Sequence, residues 1–251
     1  MEAERAVRTE LLRVGSFRQV LLEEYQEGTK EAEPSIRLLL LFTSLLKLRE
    51  QARAAYLLSG EVFVEEILAI SRTMAELAIN AAYLQEAGDE EIERYQHFDT
   101  QSLYKHSTKL KTHITVQLSQ KDQVKIDEAV AFARTSTNRK DNDPTWSIRT
   151  LFQRAEFIDD RSKLSLMVTL ILTVYASGHQ AVHATNSSLQ PFYSALKTGT
   201  VPQTEERLEA LSLALAGVNF VLHVFGLFVN SLLHLDLEPD LIQTGRLIAS
   251  R

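Results

Sequence analysis

Arginine, glutamate and asparagine recur at four-residue spacing in the stretch "SRTMAELAIN", residues 71–80. Arg72, Glu76 and Asn80 therefore share one face of any helix that contains them, and Tyr83 falls on the same face. The remaining circumference of that helix is almost entirely apolar, so the polar line is narrower than an ordinary solvated face. A guanidinium beside a carboxylate can form a paired network inside a protein or bind an anionic ligand.

A second polar line lies in "VYASGHQAVHAT", where Tyr175, His179 and His183 are again four residues apart. Histidine titrates near neutral pH, so it can act as an acid, a base or a metal ligand. The His179–His183 pair can bind one zinc or iron ion if Glu76 or His223 completes the set. Neither the zincin nor the di-iron sequence signature is present. We therefore predict no bound metal and no cofactor. Metal binding by the histidine pair is the alternative function.

The last apolar helix carries a third narrow polar line. Its members are Ser212, Asn219, His223, Gly226, Asn230 and His234. Three interpretations stay open for such lines: solvated faces, an internal network that is purely structural, and a ligand or catalytic pocket. We expect Arg72, Glu76 and Asn80 to line an internal polar seam that faces Tyr175 and His183.

The elements that must position these residues are helices. Nine glycines and five prolines in 251 residues leave few turns, which favours long helices over a sheet. The periodicity predicts an all-α, single multi-helix bundle of about seven helices with no sheet, over residues 1–251. A loop at 135–146 is a possible subdivision, and 236–251 is a tail. The predicted helices span about 2–27, 34–58, 61–86, 89–117, 120–135, 160–184 and 203–235, with a short helix at Trp146.

Composition limits the classes of function. The net charge of −6 disfavours a protein whose whole surface binds nucleic acid. The absence of cysteine excludes disulfides, thiolate nucleophiles and cysteine-based metal sites. The N-terminus has no signal-peptide pattern, so we expect a cytoplasmic protein. Residues 213–235 are long enough to span a bilayer, but Asn219, His223 and Asn230 favour a buried core helix and no membrane partner.

At these motifs the chain resembles an uncharacterised, mostly bacterial family of helical proteins, over roughly residues 60–235. That family carries an Arg-x-x-x-Glu-x-x-x-Asn-x-x-Tyr helix, then a Trp-Ser stretch, and later a Tyr-x-x-x-Ser-x-x-x-His helix. Here the matches are Arg72, Glu76, Asn80 and Tyr83, then Trp146 and Ser147, then Tyr175 and His183. His179 stands where the family pattern has serine, which puts in doubt any role that needs a hydroxyl.

The resemblance implies no established activity, but such proteins are similar to helical abortive-infection and ribonuclease-type toxins of bacterial defence. On that analogy Arg72, Glu76 and His183 are the predicted catalytic residues. The predicted substrate-binding residues are Asn80, Tyr83, Tyr175 and His179. RNA is then the expected partner. The alternative is a non-enzymatic interaction or sensor module that forms a homo-oligomer or binds a protein partner, in which the seam is structural.

Overall fold

The computed structural model describes the residues that surround both polar lines. The described residues are 35–61, 63–96, 98, 119–121, 123–124, 127–128, 147, 149–163, 165–183, 193, 197, 199 and 204–234. The predicted helix over 2–27, the loop at 135–146 and the tail at 236–251 lie outside the described residues.

The described part of the chain contains helices and no strand, which confirms the all-α prediction. Helix α1 covers Ile36–Ser59, and α2 covers Val64–Glu86. After α3, Leu151–Ser162, the chain forms α4, Met167–Leu170, a π-helical turn, Ile171–Tyr175, and α5, Ala176–Val182. Helix α6, Thr204–Leu233, is the longest.

Helices α1 and α2 form an antiparallel hairpin. Nη1 of Arg37, near the start of α1, donates to the Leu84 and Gln85 carbonyl oxygens at 2.6 and 2.9 Å. Nε2 of Gln51 donates to Thr73 Oγ1 at 3.0 Å further along both helices. Arg37 thus places a cation at the negative end of α2 and satisfies carbonyls that have no intrahelical partner.

The helix that carries Tyr175 begins later than predicted. The periodicity predicts a helix from about residue 160, but α3 continues to Ser162 and the next helix starts at Met167. Lys163 and Ser165 lie between the two helices and adopt left-handed backbone conformations, with φ of 57° and 50°. The Asp159 carboxylate then accepts hydrogen bonds from the backbone N–H groups of residues 166, 167 and 168 at 2.9–3.0 Å. The start of the helix is therefore fixed by a carboxylate from the preceding helix.

This capping interaction gives a stability prediction. Asp159→Ala leaves three backbone donors without their acceptor and should lower the free energy of unfolding by about 1–3 kcal/mol. Asp160→Ala is the matched control, because Asp160 is exposed and should change stability by less than about 0.5 kcal/mol. Urea denaturation of the two variants compares them, and equal midpoints would show that the carboxylate does not anchor the helix.

The chain separates into two compact units. One comprises Met1–Gln85 with Leu151–Arg251, and the other comprises Glu86–Thr150. Within the second unit, residues 89–96 are helical and Arg94 pairs with Glu91 at 2.7 Å. The residues of the candidate site belong to the first unit.

Helix α6 provides much of the core of the first unit. Its apolar side chains are almost fully buried at Val218, Val221, Val224 and Phe225. The part Arg207–Leu233 is long and apolar enough to cross a membrane, yet 67% of its most apolar window is buried against the rest of the protein. A mostly buried core helix passes the same length and composition test, so this helix is weak support for a membrane span.

Candidate functional site

The site is built around a close crossing of α2 and α5. Gly178 of α5 lies against α2, and a Cβ atom placed there would overlap the Leu68 carbonyl oxygen and the Arg72 Cβ atom. Leu68 and Arg72 are one turn apart on α2, so the two helices touch over a full turn. Only glycine allows this approach, and it brings the polar line of α2 to that of the second helix.

Arg72 and Tyr175 contact each other across this crossing. Nη2 of Arg72 donates to the Tyr175 hydroxyl at 3.1 Å, and Arg72 Cζ lies 4.8 Å from the centroid of the tyrosine ring. The arginine is therefore held by both a hydrogen bond and a cation–π contact. Its Nε–H is buried and finds no hydrogen-bond acceptor among the described residues. A buried donor of this kind favours an acceptor, so the guanidinium retains capacity to bind one.

Three rings extend from Arg72 along the second helix. The Tyr175 and His179 ring centroids are 6.1 Å apart with planes 21° from parallel, and those of His179 and His183 are 4.1 Å apart. Both histidines are exposed, whereas Tyr175 is partly buried. Together Tyr175, His179 and His183 form the ring column. The column presents two imidazoles to solvent beside a fixed cation.

The environment of His179 lowers the pKa of its imidazole below the ordinary value of 6.5. Partial desolvation is the largest cause, followed by the neighbouring charges of His183 and then Arg72. Each of these effects disfavours the protonated form, so His179 is mostly neutral at pH 7 and available to accept a proton.

A π-helical turn aligns the second helix with the crossing. Leu170, Val174 and Gly178 are buried at strict four-residue spacing, which would drift around a regular α-helix of 3.6 residues per turn. The wider turn at Ile171–Tyr175 absorbs that drift and keeps all three on the core side. On the exposed side of this turn, the Thr173 hydroxyl donates a hydrogen bond to the Thr169 carbonyl oxygen at 2.7 Å.

Asn80 and Tyr83 lie on the same line of α2 as Arg72 but contact a different helix. Asn80 Oδ1 accepts a hydrogen bond from Nη1 of Arg154, and Arg154 is only 4% exposed. Tyr83 is 1% exposed and meets the edge of the Phe157 ring at a centroid distance of 5.4 Å. The sequence prediction of one seam is therefore corrected, because the line divides between α5 and α3. Tyr83 is too deeply buried to touch a ligand in this arrangement.

Glu76 lies between these two branches on α2 and is partly buried. No ion pair or hydrogen bond joins it to Arg72 within the described part of the chain. The hydrogen-bond partner of Arg72 is Tyr175 instead, so the guanidinium–carboxylate pair that the spacing suggested is not formed among the described residues. A catalytic role for Glu76 stays a prediction.

The metal alternative lacks a third ligand in this region. Among the described residues, no group of three or more histidine, aspartate, glutamate or cysteine side chains is arranged to hold a metal ion. His179 and His183 adjoin each other, but neither Glu76 nor His223 joins them in such a group.

The amide of Asn219, a member of the third polar line, is 3% exposed in the core, and its Oδ1 has no hydrogen-bond partner among the described residues. Of the third polar line, Asn219 and Gly226 are buried in the core, whereas Ser212 and His234 are exposed.

Two residues that build the site had weak signals in the sequence. Gly178 is an isolated glycine within a helical pattern, which often has a packing reason and was the available clue. Arg154 lies in a charged amphipathic stretch with other arginines, and nothing in its spacing indicates that it is the buried one.

Comparison with known proteins gives one match. A family model described as a family of unknown function, DUF5677, matches residues 38–199, which include α2, the crossing and the ring column. No curated protein and no solved structure matches the chain.

Proposed function

We propose that this chain, which belongs to the family of unknown function DUF5677, cleaves RNA by acid–base catalysis at Arg72 and the ring column. The observation that carries this proposal is the arrangement of two exposed, adjacent imidazoles beside a cation that is fixed on the facing helix. Cleavage of an RNA phosphodiester needs a base, an acid and a positive charge near the phosphate, and these three groups supply them.

The chemistry assigns one step to each side chain. Neutral His179 removes the proton of a 2′-hydroxyl group, and the 2′-oxygen attacks the adjacent phosphorus. The bond from phosphorus to the 5′-oxygen breaks as protonated His183 gives its proton to that leaving oxygen. The products are a 2′,3′-cyclic phosphate and a free 5′-hydroxyl. Arg72 stabilises the charge on the phosphoryl oxygens in the transition state, and Tyr175 holds its guanidinium in place.

A ribonuclease of this kind acting on cellular RNA would serve as a toxin-type or defence protein. The test is induced expression in bacteria, comparing wild type with His183→Ala at matched soluble protein levels. We expect slowed growth and fragmented RNA with wild type, and normal growth with intact RNA for His183→Ala. His234→Ala is the control, because His234 is an exposed histidine outside the ring column and should behave as wild type. Intact RNA and normal growth in wild type and both variants would contradict the proposal.

A second candidate function is self-association through α1. Positions on the outward face of this helix recur at spacings of three and four residues, and the face carries Thr43, Glu50 and Arg53 together with large apolar side chains. Four large apolar side chains on it are 39–64% exposed. They are Ile36, Leu39, Leu46 and Leu57. A second copy of the chain is the partner that this face favours, because the same stripe on both copies is self-complementary in a two-fold dimer.

Light scattering after size-exclusion chromatography tests this second candidate. Leu46→Glu should convert a dimer to a monomer, because it places an unpaired charge among the exposed apolar side chains of α1. Leu213→Glu is the control, since Leu213 is 73% exposed and belongs to a different helix, α6. A wild-type protein that is monomeric at micromolar concentration would exclude this role for α1.

A further inference from the structure

We propose that His179 and His183, the histidine pair, bind one Zn²⁺ ion, and that this ion inhibits the reaction assigned to the same two side chains. The inference rests on the proposed function, because it adds a regulator to that site. Its basis is the position of two exposed imidazoles one helical turn apart, with ring centroids separated by 4.1 Å. The ion acts as an exchangeable inhibitor and not as a resident cofactor.

Zinc binds to the edge of an imidazole ring and not to its face. A ring nitrogen offers its lone pair in the plane of the ring, so rings whose faces are turned toward each other still present nitrogen atoms to an ion. Both members of the histidine pair are exposed, which makes them accessible to an ion from solvent. Two histidines four residues apart on one helix face are a recurrent zinc-binding pair in proteins.

The separation of the two rings is close to the separation that a shared ion requires. With zinc–nitrogen bonds of about 2.0–2.1 Å, the centroids of two imidazoles on one ion are about 4.5–5 Å apart. The observed separation of 4.1 Å is slightly shorter. A small rotation of two exposed side chains is therefore enough to direct one nitrogen of each ring at a common ion.

The surroundings of the histidine pair make this a weak site. Among the described residues no third side chain joins the pair in a metal-binding group, so water fills the remaining coordination positions. Arg72 is close enough to His179 to act on it electrostatically, and the same positive charge repels a metal cation. We therefore expect a dissociation constant in the micromolar range, which allows the ion to bind and leave reversibly.

An ion on the histidine pair blocks both proton transfers of the proposed reaction. Coordination occupies the lone pair with which His179 takes the proton of the 2′-hydroxyl group. It also displaces to solvent the proton that His183 gives to the leaving oxygen, because a metal ion binds neutral imidazole. The site then has neither its base nor its acid, although Arg72 keeps its hydrogen bond to Tyr175.

The experiment measures zinc binding separately from cleavage. The full-length protein, isotopically labelled at histidine, is titrated with Zn²⁺ at one pH, and the imidazole resonances are followed by NMR. We expect the resonances of His179 and His183 to shift together, with one midpoint in the micromolar range. His183→Ala should weaken zinc binding at His179 by at least about 10-fold, because two linked ligands bind an ion far more tightly than one does.

Two controls and a second readout complete the test. His234→Ala removes an exposed histidine outside the pair and should leave the midpoint unchanged. Mg²⁺ prefers oxygen ligands and should shift neither resonance. RNA cleavage by the wild type is measured over the same zinc concentrations. Its loss should follow the binding midpoint, and a chelator should restore it. Circular dichroism establishes that each variant is folded.

The outcomes distinguish this inference from the proposed function. Unmoved resonances at millimolar Zn²⁺, or an unchanged His179 midpoint in folded His183→Ala, overturn the zinc site even if RNA is cleaved. Cleavage that continues while both histidines are occupied overturns the inhibition. Zinc bound at the histidine pair of a protein that cleaves no RNA supports the site and overturns the proposed reaction alone.

Discussion

Replacing His179 with glutamine is expected to reduce RNA cleavage by a factor of about 10²–10⁴, the usual contribution of a general base. Glutamine keeps the approximate size and polarity of the side chain but cannot take a proton from a 2′-hydroxyl group. The exposed position of His179 means that the fold should tolerate the change, with a thermal midpoint close to that of wild type. Initial rates on a labelled RNA give the measurement.

His234→Gln makes the same chemical change at an exposed histidine at the end of α6 and should retain the wild-type rate. A rate for His179→Gln within threefold of wild type would show that this imidazole is not the base. A loss of rate in both variants would point to a general effect of losing histidine rather than to the site.

The pH dependence follows from the lowered pKa of His179. Since a base must be neutral to act, the rising limb of the pH–rate profile should have its midpoint below the ordinary histidine pKa of 6.5. His183 and Arg72 each contribute to lowering this pKa, so His183→Gln and Arg72→Gln should raise the pKa of His179. NMR titration of the imidazole measures this shift directly. An unchanged pKa in both variants would show that the three groups are not electrostatically coupled.

Gly178→Ala is expected to lower the free energy of unfolding by about 3 kcal/mol, the upper end of the usual cost of adding one carbon to a packed core. The added Cβ overlaps the Leu68 carbonyl oxygen, which belongs to the backbone of α2 and cannot rotate away. The two helices must separate, and the hydrogen bond between Arg72 and Tyr175 across the crossing should then lengthen or break. Denaturant unfolding measures the first effect, and the pKa of His179 reports the second.

Gly217→Ala provides the matched control on α6. A Cβ atom there would lie 3.7 Å from Val174 Cγ1 and 3.8 Å from the nearest Ser71 side-chain atoms, which is ordinary van der Waals contact. Alanine also favours a helix over glycine by about 1 kcal/mol, so this variant should be neutral or more stable. Equal stability of the two alanine variants would contradict the close crossing of α2 and α5.

Helical propensity and spacing were sufficient to predict the main helices of the described chain. The scarcity of glycine and proline indicated long helices, and α1, α2 and α6 begin and end within about three residues of their predicted bounds. Four-residue spacing also placed Arg72 and Tyr175 on inward lines of two helices. A line on one helix, however, does not specify which neighbour each of its residues meets.

The partners of the polar residues depend on tertiary packing that spacing does not encode. Asn80 and Arg72 are two turns apart on one line, yet Asn80 meets Arg154 of α3 while Arg72 meets Tyr175. The divergence arises because α3 and α5 pack against different parts of α2. The late start of the Tyr175 helix was also hidden, since it depends on the Asp159 carboxylate and on two left-handed residues that are not glycine.

The chemical ends of the cleavage products test the central claim most directly. Purified full-length protein is incubated with a single-stranded RNA that is labelled at its 5′ end, and with the same RNA carrying 2′-deoxynucleotides throughout. We predict 5′ fragments that end in a 2′,3′-cyclic phosphate, no cleavage of the deoxy strand, and cleavage of the RNA by His179→Gln that is slower by the factor given above. Intact RNA, fragments that end in a 3′-hydroxyl, or cleavage of the deoxy strand would contradict acid–base catalysis through the 2′-oxygen at this site.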